Sequence, residues 1–173
     1  MASAIVATTT PAGEKDRWRT PRETFSYANR RYGRFELDAA ADASNHLCEE
    51  WLGPGSYHGE DALTCEWWIA LSPFILSKPN PMRVWCNPPY SMTAQFVAKA
   101  AEEAEAGRAQ TTLLLPSTTD VRWWHRHVWR DLGPRPGVLV EFLSPRVRFL
   151  RPDGTAAGSP NFGSVLVTFL AKQ

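Results

Sequence analysis

At 173 residues the chain is long enough for one domain with a substantial core and too short for two. A composition of 43% hydrophobic and 21% charged residues is that of an ordinary soluble globular domain, and no apolar run reaches the length of a membrane span. The formal net charge of +1 excludes a strong global field toward nucleic acid, and basic residues gather instead at Arg17, Arg19, Arg22, Arg30, Arg31 and Arg34, at Arg122, Arg126 and Arg130, and at Arg146, Arg148 and Arg151.

Three cysteines, an odd number at irregular spacing, argue against a disulfide framework. Cys48, His58, Cys65 and Cys86 lack the close-spaced pairs of a zinc site. Residues 1–15 read as a disordered tail rich in Ala and Thr, without the basic start of a signal peptide. One domain is expected over 16–173.

In chain order, Thr20-Pro21 predicts a helix start, with Thr20 as N-cap, Pro21 at the first helical position and Glu23 completing a capping box. That helix runs to about Arg31, and Gly33 stops it. Phe35 to Ala41 reads as a strand ending in small residues, Asp42 to Glu50 as a short helix or turn, and Gly53 to Glu60 as a loop. Thr64 to Ser72 is an apolar, Trp-rich packed segment. Lys78 to Pro81 is a turn into a buried strand, Arg83 to Cys86. A helix follows from Met92 to Ala106, with Phe96, Ala100 and Ala104 on its inner face and Glu102, Glu103 and Glu105 outward. Thr111 to Leu115 predicts a strand buried on both faces. Val121 to Arg130 reads as helix, Gly133 to Gly137 as a turn, and Val138 to Leu143 as another buried strand. Arg146 to Leu150 and Ser164 to Leu170 read as paired strands of a hairpin whose long tip is Pro152 to Phe162. Strands alternating with helices predict an α/β fold, a mixed sheet with helices on both faces.

Asn87-Pro88-Pro89-Tyr90 breaks this pattern. Two prolines in succession fit neither a sheet interior nor a helix interior, so the strand ends in a rigid polar turn, where open α/β folds place their chemistry. The residue types suit methylation of an amino nitrogen whose lone pair is delocalised into a ring or carbonyl. The Asn oxygen and a Pro carbonyl accept hydrogen bonds from the amino group, which draws the nitrogen toward sp3. Tyr90 offers a flat face for an extruded base.

That tetrapeptide is the catalytic motif of amino-methyltransferases, and the chain resembles the short phage-type DNA N6-adenine methyltransferases. The likeness rests on Trp18-Arg19-Thr20-Pro21, on Phe35 to Ala41 with Asn45 and Cys48, on Glu60-Asp61-Ala62-Leu63, and on Val84 to Tyr90. It continues through Leu115 to Asp120 with Trp123-Trp124-His125, Arg146 to Phe149, and Ser159 to Ser164.

The resemblance implies a Rossmann-like methyltransferase: a mainly parallel sheet with helices on both faces and a C-terminal antiparallel hairpin. It implies S-adenosylmethionine as cofactor, no metal, and catalysis by Asn87, Pro88, Pro89 and Tyr90. Asp38, Ala39 and Ala40 are expected in the methyl-donor pocket, although no Gly-x-Gly loop follows them. Thr20 and Pro21 are expected near the donor carboxylate and Asp61 near its adenine. Asn45 either approaches that pocket or caps a turn. For the substrate, Ser117, Thr118, Thr119 and Asp120 line the base pocket or meet phosphate; Trp124 and His125 either join them or are the core and surface of one helix. Arg146, Arg148, Asn161 and Phe162 are candidates to clamp DNA. The expected reaction is methyl transfer to adenine N6 of DNA in the cytoplasm of a bacterial host, with no membrane partner and with monomer and homodimer both open. The alternatives are the same chemistry on cytosine N4, RNA adenine or a protein glutamine, and a non-catalytic DNA-binding module.

Overall fold

The computed structural model describes residues 13–67, 81–157 and 160–173. The tail before residue 13 and most of the Trp-rich stretch from Thr64 to Ser72 lie outside these residues. Strands β1 (Leu37–Asp38), β2 (Glu50–Trp51), β3 (Met82–Cys86) and β4 (Ala109–Pro116) run parallel in the order β2-β1-β3-β4. Short strands β5 (Trp129–Arg130) and β6 (Gly133–Pro134) form a separate antiparallel hairpin. The central sheet is completed by β7 (Val138–Phe142) and β8 (Ser164–Phe169), with β8 antiparallel to β4 and β7 antiparallel to β8 at the edge.

Successive residues of a strand face opposite sides, so each buried strand feeds two cores. Leu113 and Leu115 enter one and Leu114 the other, and none is more than 1% exposed. Each such burial contributes about 2 kcal/mol. Helix α1 (Arg22–Tyr32) covers one face, where Phe25 packs edge-on to Trp85 at 5.5 Å between ring centres. Helix α2 (Thr93–Glu105) covers the other through Phe96, Val97, Ala100 and Ala104. A parallel sheet requires this double cover, and the expected mixed α/β architecture is present.

Several local expectations are corrected. Pro21, not Thr20, is the N-cap of α1, and no side chain caps it; Thr20 is buried instead. Gly33 ends the helix at φ +98° as expected. The Phe35 to Ala41 strand shrinks to two residues, although Glu36 and Ala39 still donate to the Arg83 and Trp85 carbonyls. The expected helix from Val121 to Arg130 stops at Val128: helical residues 122–123 run into a π-helix over Trp124–Val128, which gives way to β5, where Trp129 stacks on Trp124. β7 is an edge strand, with only Val138 buried and Phe142 56% exposed.

The terminal hairpin is made by β7 and β8, not by Arg146 to Leu150. That segment alternates, with Val147 and Phe149 buried and Arg146 and Arg148 exposed, yet it joins no strand beyond bridges from Leu150 to Arg19 and Ala156. Alternation reports burial on one side, which a loop laid over a core satisfies as well as a strand does.

Glu103 is the sharpest correction, since it is fully buried rather than outward. Lys99 meets it at 2.8 Å, and Arg108 grips both oxygens at 2.8 and 3.2 Å. Burial works against its charge, but hydrogen bonds from Arg108 and Lys99 outweigh that and hold its carboxyl below the ordinary carboxylate range. A depressed carboxyl stabilises the fold above its ordinary value and loses that contribution as pH falls through the folded value. Glu103→Ala is therefore expected to cost about 2–3 kcal/mol at neutral pH, because both cations stay partly hydrated once unpaired. Urea unfolding from pH 7 to 3 checks this, and the variant should also show a shallower acid limb than the wild type.

Candidate active site at the carboxyl end of the sheet

From β1 the chain steps outward to β2, then crosses back to β3 on the other side of β1. The connections diverge there and leave a crevice beyond the strand ends, the usual ligand position in open α/β sheets. Asp38 ends β1 and Asn87 follows β3, so both stand at this crevice.

After Asn87 the chain turns through Pro88 and Pro89 into one 3-10 turn, Tyr90–Met92, which runs directly into α2. The Pro89 carbonyl accepts the Met92 N–H at 2.9 Å, and the Tyr90 carbonyl accepts the Thr93 hydroxyl at 3.0 Å. Among the described residues the Pro88 carbonyl accepts no hydrogen bond.

The Asn87 side chain donates from Nδ2 to the Trp18 carbonyl at 3.3 Å, while its Oδ1 is buried without a partner. The two ends of an amide differ only in hydrogen bonding, so the Trp18 carbonyl decides which end is left as acceptor. Two more buried polar atoms at this corner lack partners, the Trp18 Nε1 and the Tyr90 hydroxyl. Native proteins leave few such groups unsatisfied, and three at one corner make it the candidate site among the described residues. Burial pushes the Tyr90 hydroxyl well above the ordinary phenol range, so it stays protonated.

Aromatic rings hold this corner. Tyr90 meets Phe162 at 5.4 Å, Phe149 at 6.0 Å and Trp18 at 6.1 Å, each edge to face, and Trp18 stacks on Phe149 at 5.6 Å. The Lys15 ammonium lies 5.6 Å from the Phe162 ring centre.

Beside Asn87 opens a cavity of about 250 Å³. It is lined by residues 16–19, by Ala40, Ala41, Asp42, Ser44 and Asn45, and by Pro54, Pro89 and Pro152. The Asp42 carboxylate accepts from both the amide N–H and the hydroxyl of Ser44 at 2.7 Å, and Arg19 donates to the Ser44 hydroxyl at 2.8 Å. Burial opposes the Asp42 charge, but Ser44 and the Arg19 guanidinium hold its carboxyl below the usual range. Gly53 lets this wall close. It sits at φ +138°, and a Cβ there would lie 1.9 Å from the Ala41 carbonyl oxygen.

Asp38 lies behind the wall rather than in it. It is 3% exposed, and its two oxygens accept the Ala40 N–H at 3.3 Å and the Leu47 N–H at 3.1 Å. Burial pushes its carboxyl up to about 6, against the lowering effect of those two bonds. Ala39 is fully buried beside it.

The other expected site residues divide. Ser117 follows β4 at the same sheet edge, its N–H bonded to the Gly163 carbonyl at 2.9 Å, with Thr118, Thr119 and Asp120 exposed beyond it. Arg146 and Arg148 line a larger groove of about 540 Å³ between the first turn of α1 and residues 141–148. Glu23 and Thr24 of α1 line that groove, so the helix start opens there and not on the cavity that holds Asn87. Arg146 donates to the Pro160 carbonyl at 3.2 Å; Asn161 is exposed, and Phe162 packs on Tyr90.

Thr20, Pro21, Asp61, Trp124 and His125 are not among the residues that line the cavity. Asp61 is exposed and caps its own turn, accepting the Leu63 N–H at 2.9 Å. Trp124 is 2% exposed within the α2-side core, and His125 is on the surface. Sequence reasoning missed Asp16, Asp42, Ser44 and the roles of Trp18 and Arg19. The spacing Asp42-Ala43-Ser44 is a turn signature that was there to be read. The reach of Arg19 to Ser44 and of Trp18 to Asn87 has no local signal.

The profile of the DNA N-6-adenine-methyltransferase (Dam) family matches residues 7–171. Over 117 residues, 68% of the chain, the sequence is 37% identical to a DNA N-6-adenine-methyltransferase of Escherichia phage T1, and the match spans 42% of that protein's length. It is 25% identical over 166 residues to a DNA N-6-adenine-methyltransferase of Haemophilus phage HP1 (strain HP1c1), covering 94% of this chain and 83% of that one. A match that takes in the strands, the proline corner and the cavity wall together shows that this chain belongs to the Dam family of DNA N-6-adenine-methyltransferases.

Proposed function

We propose that the protein transfers a methyl group from S-adenosylmethionine to N6 of adenine in DNA, on a Rossmann-like methyltransferase domain spanning 16–173. The observation that carries this reading is the buried Oδ1 of Asn87, followed in the chain by the Pro88 carbonyl, neither with a hydrogen-bond partner among the described residues. Two acceptors on a rigid corner are what an exocyclic amino group needs. Its two N–H groups are held, the nitrogen moves from planar toward tetrahedral, and its lone pair becomes available in a fixed direction. The spare proton leaves to solvent after transfer, so no general base is required.

The cavity beside Asn87 suits the cofactor. Ala40 and Ala41 allow close backbone approach, Asp42, Ser44 and Asn45 offer acceptors to hydroxyl and ammonium groups, and Arg17 and Arg19 offer positive charge to a carboxylate. When bound, S-adenosylmethionine supplies a methyl group on a positively charged sulfur. Asp38 shapes this wall from behind by holding the Ala40 and Leu47 amides.

For the substrate, Tyr90 with Phe162 offers the aromatic wall for a flipped base, and Ser117 to Asp120 border the same edge. Arg146 and Arg148, which line the 540 Å³ groove, support a reading in which they pair with DNA phosphates. Among the described residues no helix is long and apolar enough to cross a membrane. The proposed setting is DNA in the cytoplasm of a bacterial host.

Asn87→Ala is expected to lower kcat by about 10²-fold or more while affinity for S-adenosylhomocysteine changes less than about threefold. A tritiated-methyl assay on adenine-containing duplexes, with calorimetry for the cofactor product, measures both. Digestion to nucleosides identifies the product, and N4-methylcytosine or equal labelling by wild type and variant would overturn the proposal.

Asp38 generates a pH prediction. Its folded carboxyl titrates near 6 against an ordinary value of 3.8, so its contribution is fully present below about pH 4 and is lost as pH rises through 6. The shift corresponds to about 3 kcal/mol. Carbon-13 NMR of the Asp38 side chain should give a midpoint near 6, and Asp38→Asn should flatten the fall in ligand-free stability between pH 4 and 8.

A further inference from the structure

We infer that Asp16 is a positioning residue: it anchors the strap of residues 16–19 to the proline corner, so that the Trp18 carbonyl keeps the Asn87 amide with its oxygen free for the substrate. The inference rests on the amino-methyltransferase reading above and names residues that reading does not use.

The strap is fixed at three points. At its start, one Asp16 oxygen accepts the Ser91 N–H at 2.9 Å and the other accepts the Ser91 hydroxyl at 2.7 Å. Ser91 lies in the first turn of the helical run that leaves the corner, so Asp16 supplies from another part of the chain the acceptor that a helix start lacks. In the middle, the Trp18 carbonyl receives the Asn87 Nδ2–H, while the Trp18 ring stacks on Phe149. At the far end Arg19 and Leu150 exchange backbone hydrogen bonds of 2.8 and 3.0 Å.

The consequence is chemical. Turning the Asn87 amide over would present an NH2 group to a substrate NH2 group, donor against donor, and the nitrogen would not be drawn toward its reactive geometry. Nothing on β3 itself selects the productive orientation, since among the described residues the only bond from the Asn87 side chain goes to the strap. Loss of the Asp16 anchor would loosen the start of the strap, two residues before the Trp18 carbonyl, and leave only the Leu150 end to hold that carbonyl in line.

The test combines NMR of the ligand-free protein with steady-state kinetics. In wild type the Asn87 side-chain amide should exchange slowly with solvent, and in Asp16→Ala it should exchange fast. In the same variant kcat should fall by about tenfold or more, with KM for DNA and cofactor within about threefold. Ser91→Ala removes only the hydroxyl bond and should give a smaller loss. The double variant should be no worse than Asp16→Ala alone, since the two act as one unit. Asp16→Asn, which can still accept from the Ser91 N–H, should be intermediate. Unchanged amide exchange in Asp16→Ala would overturn the inference, as would unchanged kcat. A raised KM for cofactor at constant kcat would do so too, by making Asp16 a ligand. A wild-type protein with no methyl transfer would reject the proposed function, and the exchange measurement would still decide the role of the strap.

Discussion

One side-chain amide joins two parts of the chain that lie 69 residues apart, and the geometry of the candidate site follows from it. The hydrogen bond from Asn87 to the Trp18 carbonyl is long at 3.3 Å and contributes about 1 kcal/mol at most to stability. Its importance is directional. By taking the donor end of the amide, it leaves a buried acceptor with no partner among the described residues, in a side chain that borders the cavity. The two prolines prevent the backbone from relaxing to satisfy that acceptor, and the sheet holds the corner at the point where β1 and β3 part.

Such a corner is destabilising before any ligand arrives. Each buried polar atom without a partner costs about 1–3 kcal/mol, and three are gathered at Trp18, Asn87 and Tyr90. Asp38 adds a carboxylate buried beneath the cavity wall. These costs are offset elsewhere, by leucines filling both faces of β4 and by the aromatic packing of Trp85, Phe25 and Phe35. The two buried carboxylates show the contrast. Glu103 is fully paired with cations and serves the fold, whereas Asp38 meets only backbone amides and is raised by burial. A protein arranged in this way gives up stability at its candidate site.

Charge acts locally as well. With a net charge of +1, long-range attraction to a polyanion is weak. The arginines matter through placement: Arg17 and Arg19 stand at the small cavity, Arg146 and Arg148 at the large groove, while Arg108 serves the core. Composition alone could not sort these three places, because the same side chain suits a cavity wall, a groove or a buried glutamate.

What was legible in the sequence was whatever local chemistry dictates. The proline pair had to end a strand, a short apolar run with three leucines before Pro116 fitted a strand covered on both sides, and Gly33 fitted the stop of a helix. The mixed α/β arrangement and the position of Asn87 at a strand end follow from these. The sequence could not decide where a short element finds its partners. Val147 and Phe149 alternate with arginines in a segment that never joins the sheet, and Glu103 looks solvent-facing until Arg108 folds back onto it. The orientation of the Asn87 amide belongs to the same class. It depends on a carbonyl brought in from residue 18, and a hydrogen bond between distant segments leaves no periodicity, spacing or composition by which a linear reading could find it.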